Sequence, residues 1–554
     1  MKPTTPFSLL ATGFFLAAVR ARAAGAAETS CRLLLAGGGC LFQTTKTSLR
    51  SCLLLLAFAA SARAASFTVT TAVDEFNTPS GANVSLREAL RDAEASPGAD
   101  TITFAPALSG QTIVLGSEIA ITDPGAVTVD ASSLSSKLVI DGGPGNNRIF
   151  YIGGSATVSI VAIKLTGGNG SGSVDPNVGG VAFNNGGSLT LTLCDLSNNS
   201  AGAGGAIYNH YATLVLDRCS FSGHTAVNGG ALVNTGSITA QRCSFTGNTV
   251  TGDGGVLFSS DGSVSLSHCT LQGNSAGGDG GAIKNFTQLD LTHCTVTGNS
   301  AGGIFGGGGI YHVRHYLTVA NSIVAGNSLN GTGFGADIRF DYQFNICTLT
   351  RVGANIIQSL AVGGTGGNPT GPPHMIANPL LAPLNDYGGP TPTMALLPGS
   401  PARNAATSST ITSDQRGFPI VFTPDIGAYE SGTLNNYNAW IYETLPDTAT
   451  VPQHASTFDY DGDGVSNGSE WPARTDPGDA SSYFQVTQNS FNGGQFNMTV
   501  TTVAGRTYSL ETSSDLVTWI PTGFGAVSLL GMPISFSYGP ITPTPRLFFR
   551  VSVQ

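Results

Sequence analysis

The densest chemistry in this sequence lies in DYDGDGVSNGSE at 459–470. Asp459, Asp461, Asp463, the Val465 carbonyl, Asn467 and Glu470 fall at positions 1, 3, 5, 7, 9 and 12 of a calcium loop, and Gly464 takes position 6, where the chain must turn sharply. Hard oxygen ligands at that spacing suit Ca2+. The alternative, a solvated acidic turn, leaves so many matched positions to coincidence. No long helix pattern precedes the loop, Pro472 limits any helix after it, and no second loop follows. The expected role is a calcium-stiffened joint rather than a sensor.

Two rows of spaced residues offer other chemistry. Asp253 and Asp279 each precede a glycine pair in neighbouring repeats, so their carboxylates can approach and share a cation. Arg218, Arg242, His268 and His293 each stand immediately before a cysteine. Such a row can hold an acidic glycan, more tightly below the histidine pKa; the plainer expectation is the ordinary polarity of an outward corner.

These rows exist because one pattern recurs about every 25 residues through 189–327. It reads apolar-x-apolar, two residues, Cys, x, apolar, an Asn-bearing turn, then Gly-Gly-small-apolar-x-Asn. Cysteines fall at 194, 219, 243, 269 and 294, and the turn carries Asn199, His224, Asn248, Asn274, Asn299 and Asn327. Three short apolar strands per copy at a fixed period are a solenoid signature. Stacked rungs about 4.8 Å apart pair each backbone with its neighbours and line like residues into ladders. The fold expected is all-β: a right-handed parallel β-helix of about 25 residues per coil, with Cys as an inward ladder and Asn as a corner ladder. Disulfides need converging Cβ vectors, so a row of parallel inward cysteines is expected to stay reduced.

Composition agrees. Glycine is 74 of 554 residues and charged residues are 10%, against roughly 25% charged in an ordinary domain. A net charge of -10 argues against nucleic acid as a partner, which needs a basic stripe. Residues 1–64 read as a signal region: Lys46 and Arg50 precede the apolar run 52–60, and Ala62-Arg63-Ala64 supports cleavage after Ala64. No other apolar run is long enough to span a bilayer. The mature chain is expected to be exported, secreted or at the bacterial cell surface, and monomeric.

Further along, Ser85 and Glu88 have capping-box spacing, with Leu86, Leu90 and Ala93 as one apolar stripe, so a helix near 85–95 should cap the first coil. SLREAL followed by GADTITF at 98–104 resembles the CSLREA motif of bacterial pectin-lyase-like surface proteins, with Val84 where that family often has Cys. The segment 378–430, with DQRGFP at 414–419 and DIGAYE at 425–430, resembles the choice-of-anchor Q region that ends many bacterial β-helix surface proteins. Its Asp414, Arg416, Asp425 and Glu430 are expected to form an ion-pair cluster tying the last coil. The repeats are similar to those of polymorphic outer membrane proteins, and the calcium loop resembles the lone loops of dockerins and thrombospondin type 3 repeats, which implies Asp476 or Asp479 as further ligands. These boundaries give a β-helix over 65–434, a linker with the loop over 435–482, and over 483–554 a C-terminal region whose alternating strands suggest a β-sandwich and whose GRTYSLETSSDLVTWIPTG at 505–523 resembles a module of exported bacterial proteins. Trp519 is expected in that module's core, with a sugar-stacking platform as the alternative.

The resemblances imply a structural or adhesive surface protein with polysaccharide or cell-surface components as partners. The alternative is a polysaccharide lyase or glycoside hydrolase acting on acidic glycans. That chemistry needs clustered carboxylates, or Ca2+ with a basic residue, and the NTD, DD, GHG and RIK signatures of polygalacturonases are missing from the sequence.

Overall fold

The computed structural model describes residues 64–553 except 146, 342–346, 365–368, 483, 529 and 542–546, and upstream only the backbone of three antiparallel strands, Ala17–Ala21, Thr29–Ala36 and Gly39–Gln43. Residues 1–63 form a unit of their own. The apolar run 52–60 and the Ala62-Arg63 step of the expected signal region lie outside the described residues.

Alternating burial builds three long parallel sheets. Sheet one has ten strands, from Ile119–Ile121 to Leu360–Gly363; sheet two has eleven, from Ser66–Val69 to Thr348–Val352; sheet three has ten, from Thr112–Val114 to Ile356–Ile357. The chain visits them in turn, giving a right-handed β-helix of about 10 turns. Each repeat is in direct register with the next, as where Leu214 and Leu216 pair with Ile238 and Ala240. Inward residues such as Leu191, Leu216, Phe221 and Phe245 form one continuous core. Phe221 and Phe245 stack with centroids 4.8 Å apart.

The expected ladders are present. Cys194, Cys219, Cys243, Cys269 and Cys294 are buried free thiols, and burial pushes the first four well above the ordinary thiol pKa. At the corner, each amide bonds to the next: Asn248 Nδ2 donates to Asn274 Oδ1, Asn274 to Asn299, and Asn299 to Asn327, all at 2.8 Å. A second ladder runs through the closing Asn of the repeat, with Asn184 donating to Asn209 at 2.8 Å and Asn209 to Asn234 at 2.9 Å. The glycine pair is sterically required: a Cβ on Gly205 would lie 2.2 Å from the Gly230 carbonyl oxygen.

Helix α1, Leu86–Glu94, buries Leu86, Leu90 and Ala93 in the solenoid core beside the first strands of sheet two. Its capping box is complete, with Glu88 N donating to Ser85 Oγ (3.1 Å) and Ser85 N to Glu88 Oε2 (2.8 Å). Segment 378–432 does not sit only at the last coil, as its sequence suggested. It runs beside sheet three: Thr391 Oγ1 donates to the Arg242 carbonyl, Thr270 bonds Gln415, and Ala428 N donates to Thr295 Oγ1. Outward residues Ser244, Thr270, Thr295, Ile323 and Ile356 are accordingly buried. Helices α2, Tyr437–Thr444, and α3, Asn467–Ala473, follow, with Trp440 and Trp471 5.5 Å apart. At the C-terminus two three-stranded antiparallel sheets enclose Met498, Val500, Tyr508, Leu510 and Phe536. Trp519 lies outside that core, half-buried, with the Arg550 guanidinium of strand Phe548–Val553 over its ring at 4.4 Å.

Candidate functional site

In the 459–470 loop, Asp459, Asp461 and Asp463 bring carboxylate oxygens within 4.8 Å of one another. Asp459 is held by the backbone N–H groups of Gly462 and Gly464 (2.8 and 2.9 Å). Asn467 is fully buried, and its Nδ2 donates to the Gln453 and Ala455 carbonyls (2.9 and 3.1 Å). Glu470 Oε1 accepts from Thr475 Oγ1 at 2.9 Å. That leaves Asp461 Oδ2, Asp463 Oδ2, Asn467 Oδ1 and Glu470 Oε2 buried with no hydrogen-bond partner. Burial, and then the charges of Asp461 and Asp463, push Glu470 up to about 7. Orphaned oxygens of like charge are costly unless a cation meets them. The donor set is all oxygen, as Ca2+ requires, so the residues fit that ion.

The other two rows differ from expectation. Asp253 and Asp279 do share a cation, but it is Lys284 Nζ, at 2.9 and 3.2 Å. Asp279 Oδ1 also accepts the Phe305 and Gly306 backbone N–H groups, and Asp253 Oδ1 accepts that of Asp279. A second metal there would have to displace an ammonium the chain supplies itself. The Arg218, Arg242, His268, His293 row is not a continuous outward strip. All four adopt the left-handed conformation, with φ between 49° and 56°, in the turn from sheet two to sheet three. Arg218 and Arg242 both pair with Asp217 (2.9 and 2.7 Å). His268 and His293 stack at 5.5 Å and are buried, and His293 Nε2 bonds Ser409 of the lateral segment at 2.8 Å. Burial drives both histidines down to about 4.

Within the lateral segment, Arg416 pairs with Asp414 at 2.7 Å between the rings of Phe418 and Tyr429. Asp425 instead accepts the Asn404 and Ser431 backbone N–H groups, and Glu430 accepts that of Asp425. The expected four-member ion cluster is therefore one buried pair plus two backbone-capped carboxylates.

Candidate residues that spacing did not single out occupy the slot marked x in Gly-Gly-small-apolar-x-Asn. On sheet one that slot points outward, and it carries Tyr151, Phe183, Tyr208, Val233, Phe258, Lys284, Tyr311 and Arg339 in register. The rings form a chain: Tyr151 to Phe183 at 5.8 Å, Phe183 to Tyr208 at 5.5 Å, and Tyr208 through His210 to Tyr211 at 5.6 and 4.5 Å. Towards the other end Phe258 meets Phe286 at 5.9 Å and Tyr311 stacks on Phe305 at 5.8 Å. Tyr151, Tyr208 and Phe258 are partly open, while Tyr211 (68%), Phe305 (48%) and Phe334 (61%) are exposed at the rim. Buried Arg148 shapes one end, pairing with Glu118 at 2.8 Å and donating to the Gly170, Val174, Asp175 and Val178 carbonyls.

A family model described as right handed beta helix region matches residues 148–329, which span most of this ring row. No curated protein matches the chain. The domain is thus a right-handed β-helix, consistent with a pectin-lyase-like fold, and among the described residues no helix is long and apolar enough to cross a membrane.

Proposed function

We propose that this is an exported, surface-associated β-helix protein with a structural or adhesive role, which binds polysaccharide along the outward face of sheet one. The observation that carries the reading is the set of partly open rings, Tyr151, Tyr208 and Phe258, on alternate rungs of sheet one, since ligand sites are mostly apolar with a few placed polar groups. Rigid aromatic side chains give large contact area at low entropic cost. In this reading Ca2+ bound by the 459–470 loop stiffens the joint between the β-helix and the C-terminal sandwich. Retention of the full chain on immobilised polysaccharides, with Ca2+ present, tests it. Retention lost in a Tyr208→Ala, Phe258→Ala double variant supports the reading, and retention unchanged by it refutes the site.

One observation favours an enzyme as second reading. Lys284, Asp253, Asp279, Tyr311, Asp341 and Arg339 cluster on the same face, with Tyr311 donating to Asp341 at 2.9 Å and Arg339 paired to Asp341 at 2.6 Å. Release of unsaturated products or new reducing ends during the same experiment would select a polysaccharide lyase or hydrolase.

A further inference from the structure

From the charges on this face we infer that its ligand is an uncharged, linear glycan laid along the solenoid axis, an inference that rests on the polysaccharide-binding reading above. Two features set the class. First, the partly open rings Tyr151, Tyr208 and Phe258 stand on alternate rungs with buried Phe183 and Val233 between them, about 9.6 Å apart, so an extended chain lying across the strands meets an open ring at every second rung. The C–H faces of pyranose rings suit such stacking. Second, the three cations set along the face are already held by carboxylates: Arg148 by Glu118, Arg339 by Asp341, and Lys284 by both Asp253 and Asp279. Arg148 and Lys284 are nearly withdrawn from solvent, with side chains 0% and 11% exposed. A uronate arriving here would meet four carboxylates against three cations and would have to break an existing pair to gain one. The Arg218 to His293 row offers no alternative, since its arginines share Asp217 and its histidines are covered.

The test is affinity electrophoresis of the full chain through gels carrying linear β-1,4-glucan, β-1,4-xylan, polygalacturonate or alginate. The expected result is retardation by at least one neutral polymer at least roughly tenfold stronger than by either uronate, with Tyr208→Ala, Phe258→Ala losing roughly tenfold. A second arm uses Asp253→Asn, Asp279→Asn, in which Asn keeps the Oδ1 acceptor for the backbone N–H groups while Lys284 is released. That variant should gain uronate retardation, and Lys284→Ala placed on it should abolish the gain. Uronate preference in the unaltered chain overturns the neutral-ligand class while leaving glycan binding on this face intact. Retardation by none of the polymers overturns the glycan reading and this inference with it.

Discussion

On sheet three, the outward residues of five successive rungs, Ser244, Thr270, Thr295, Ile323 and Ile356, are buried beneath or beside the chain's own lateral segment. On sheet one, the equivalent outward slot carries rings of which Tyr151, Tyr208 and Phe258 stay partly open. Both faces arise from one repeat with the same register, so the backbone does not distinguish them. Side-chain size does. Small hydroxyl residues on sheet three let a Pro- and Gly-rich segment approach closely enough to hydrogen-bond, and the last two rungs switch to isoleucine where its apolar cluster begins. Bulky rings on sheet one already fill the space between rungs and present a corrugated apolar strip. One face is covered by the chain; on the other, Tyr151, Tyr208 and Phe258 stay partly open.

The sharpest way to break this comparison is to detach the cover. Arg416→Ala removes the partner of buried Asp414, and losing one member of a buried pair costs about 3–5 kcal/mol. Hydrogen exchange should then accelerate across 378–432 and in the sheet three strands beneath it, while sheet one keeps its protection. Equal acceleration on both sheets would mean that the cover stabilises the solenoid as a whole. Cutting the ladder is the control that treats all faces alike. Asn274→Ala deletes amide bonds to Asn248, Asn299 and the Phe245 carbonyl, and leaves buried groups unpaired at about 1–3 kcal/mol each, so thermal unfolding should shift without any face being favoured.

Ca2+ and protons are expected to act on the covered side. Without Ca2+, Glu470 in the fold holds its proton up to about 7, above the unfolded value of about 4.3. Its contribution to stability is therefore present below that unfolded value and lost as pH rises through about 7. Trp440 and Trp471 fluorescence should report a melting temperature of the 437–482 region that falls over this window, with Ca2+ restoring it by about 2.7 kcal/mol at a hundredfold excess over Kd. His268 and His293 have the opposite sign. Their folded pKa of about 4 lies below the unfolded value of about 6.5, so the stability they allow is present above about 6.5 and lost as pH falls through about 4. Exchange in 391–428 should quicken in acid, and His268→Asn, His293→Asn should flatten that dependence, since Asn tolerates the left-handed backbone. The smallest effect is expected at the cap: Ser85→Ala should cost about 1 kcal/mol, read by urea unfolding, and leave glycan retention unchanged.

Much of this was legible in the sequence because it is encoded at short, repeated spacing. The period, the Cys and Asn ladders, the Ser85–Glu88 capping box and the clustering of carboxylate oxygens in the 459–470 loop all follow from residues within one coil or one turn. What was not legible depends on contacts between distant segments. Burial of His268 and His293 comes from Ser409 and its neighbours, more than 100 residues away, and no local pattern announces that cover. Lys284 was nearer at hand, one residue before the ladder Asn285 and five after Asp279, but its role emerges only when the register sets it between two rungs' carboxylates. The aromatic residues stood in the slot left as x, since a periodic reading attends to residues that repeat identically, and here rings alternate irregularly with Val233, Lys284 and Arg339.

The most direct measurement of the central claim is a hydrogen-exchange footprint of the full chain saturated with a retained linear glycan. The account predicts slowed exchange along successive strands of sheet one and the Tyr211, Phe305 and Phe334 rim, with sheets two and three unchanged. Protection centred on sheet two, on the lateral segment or on the C-terminal sandwich would contradict it.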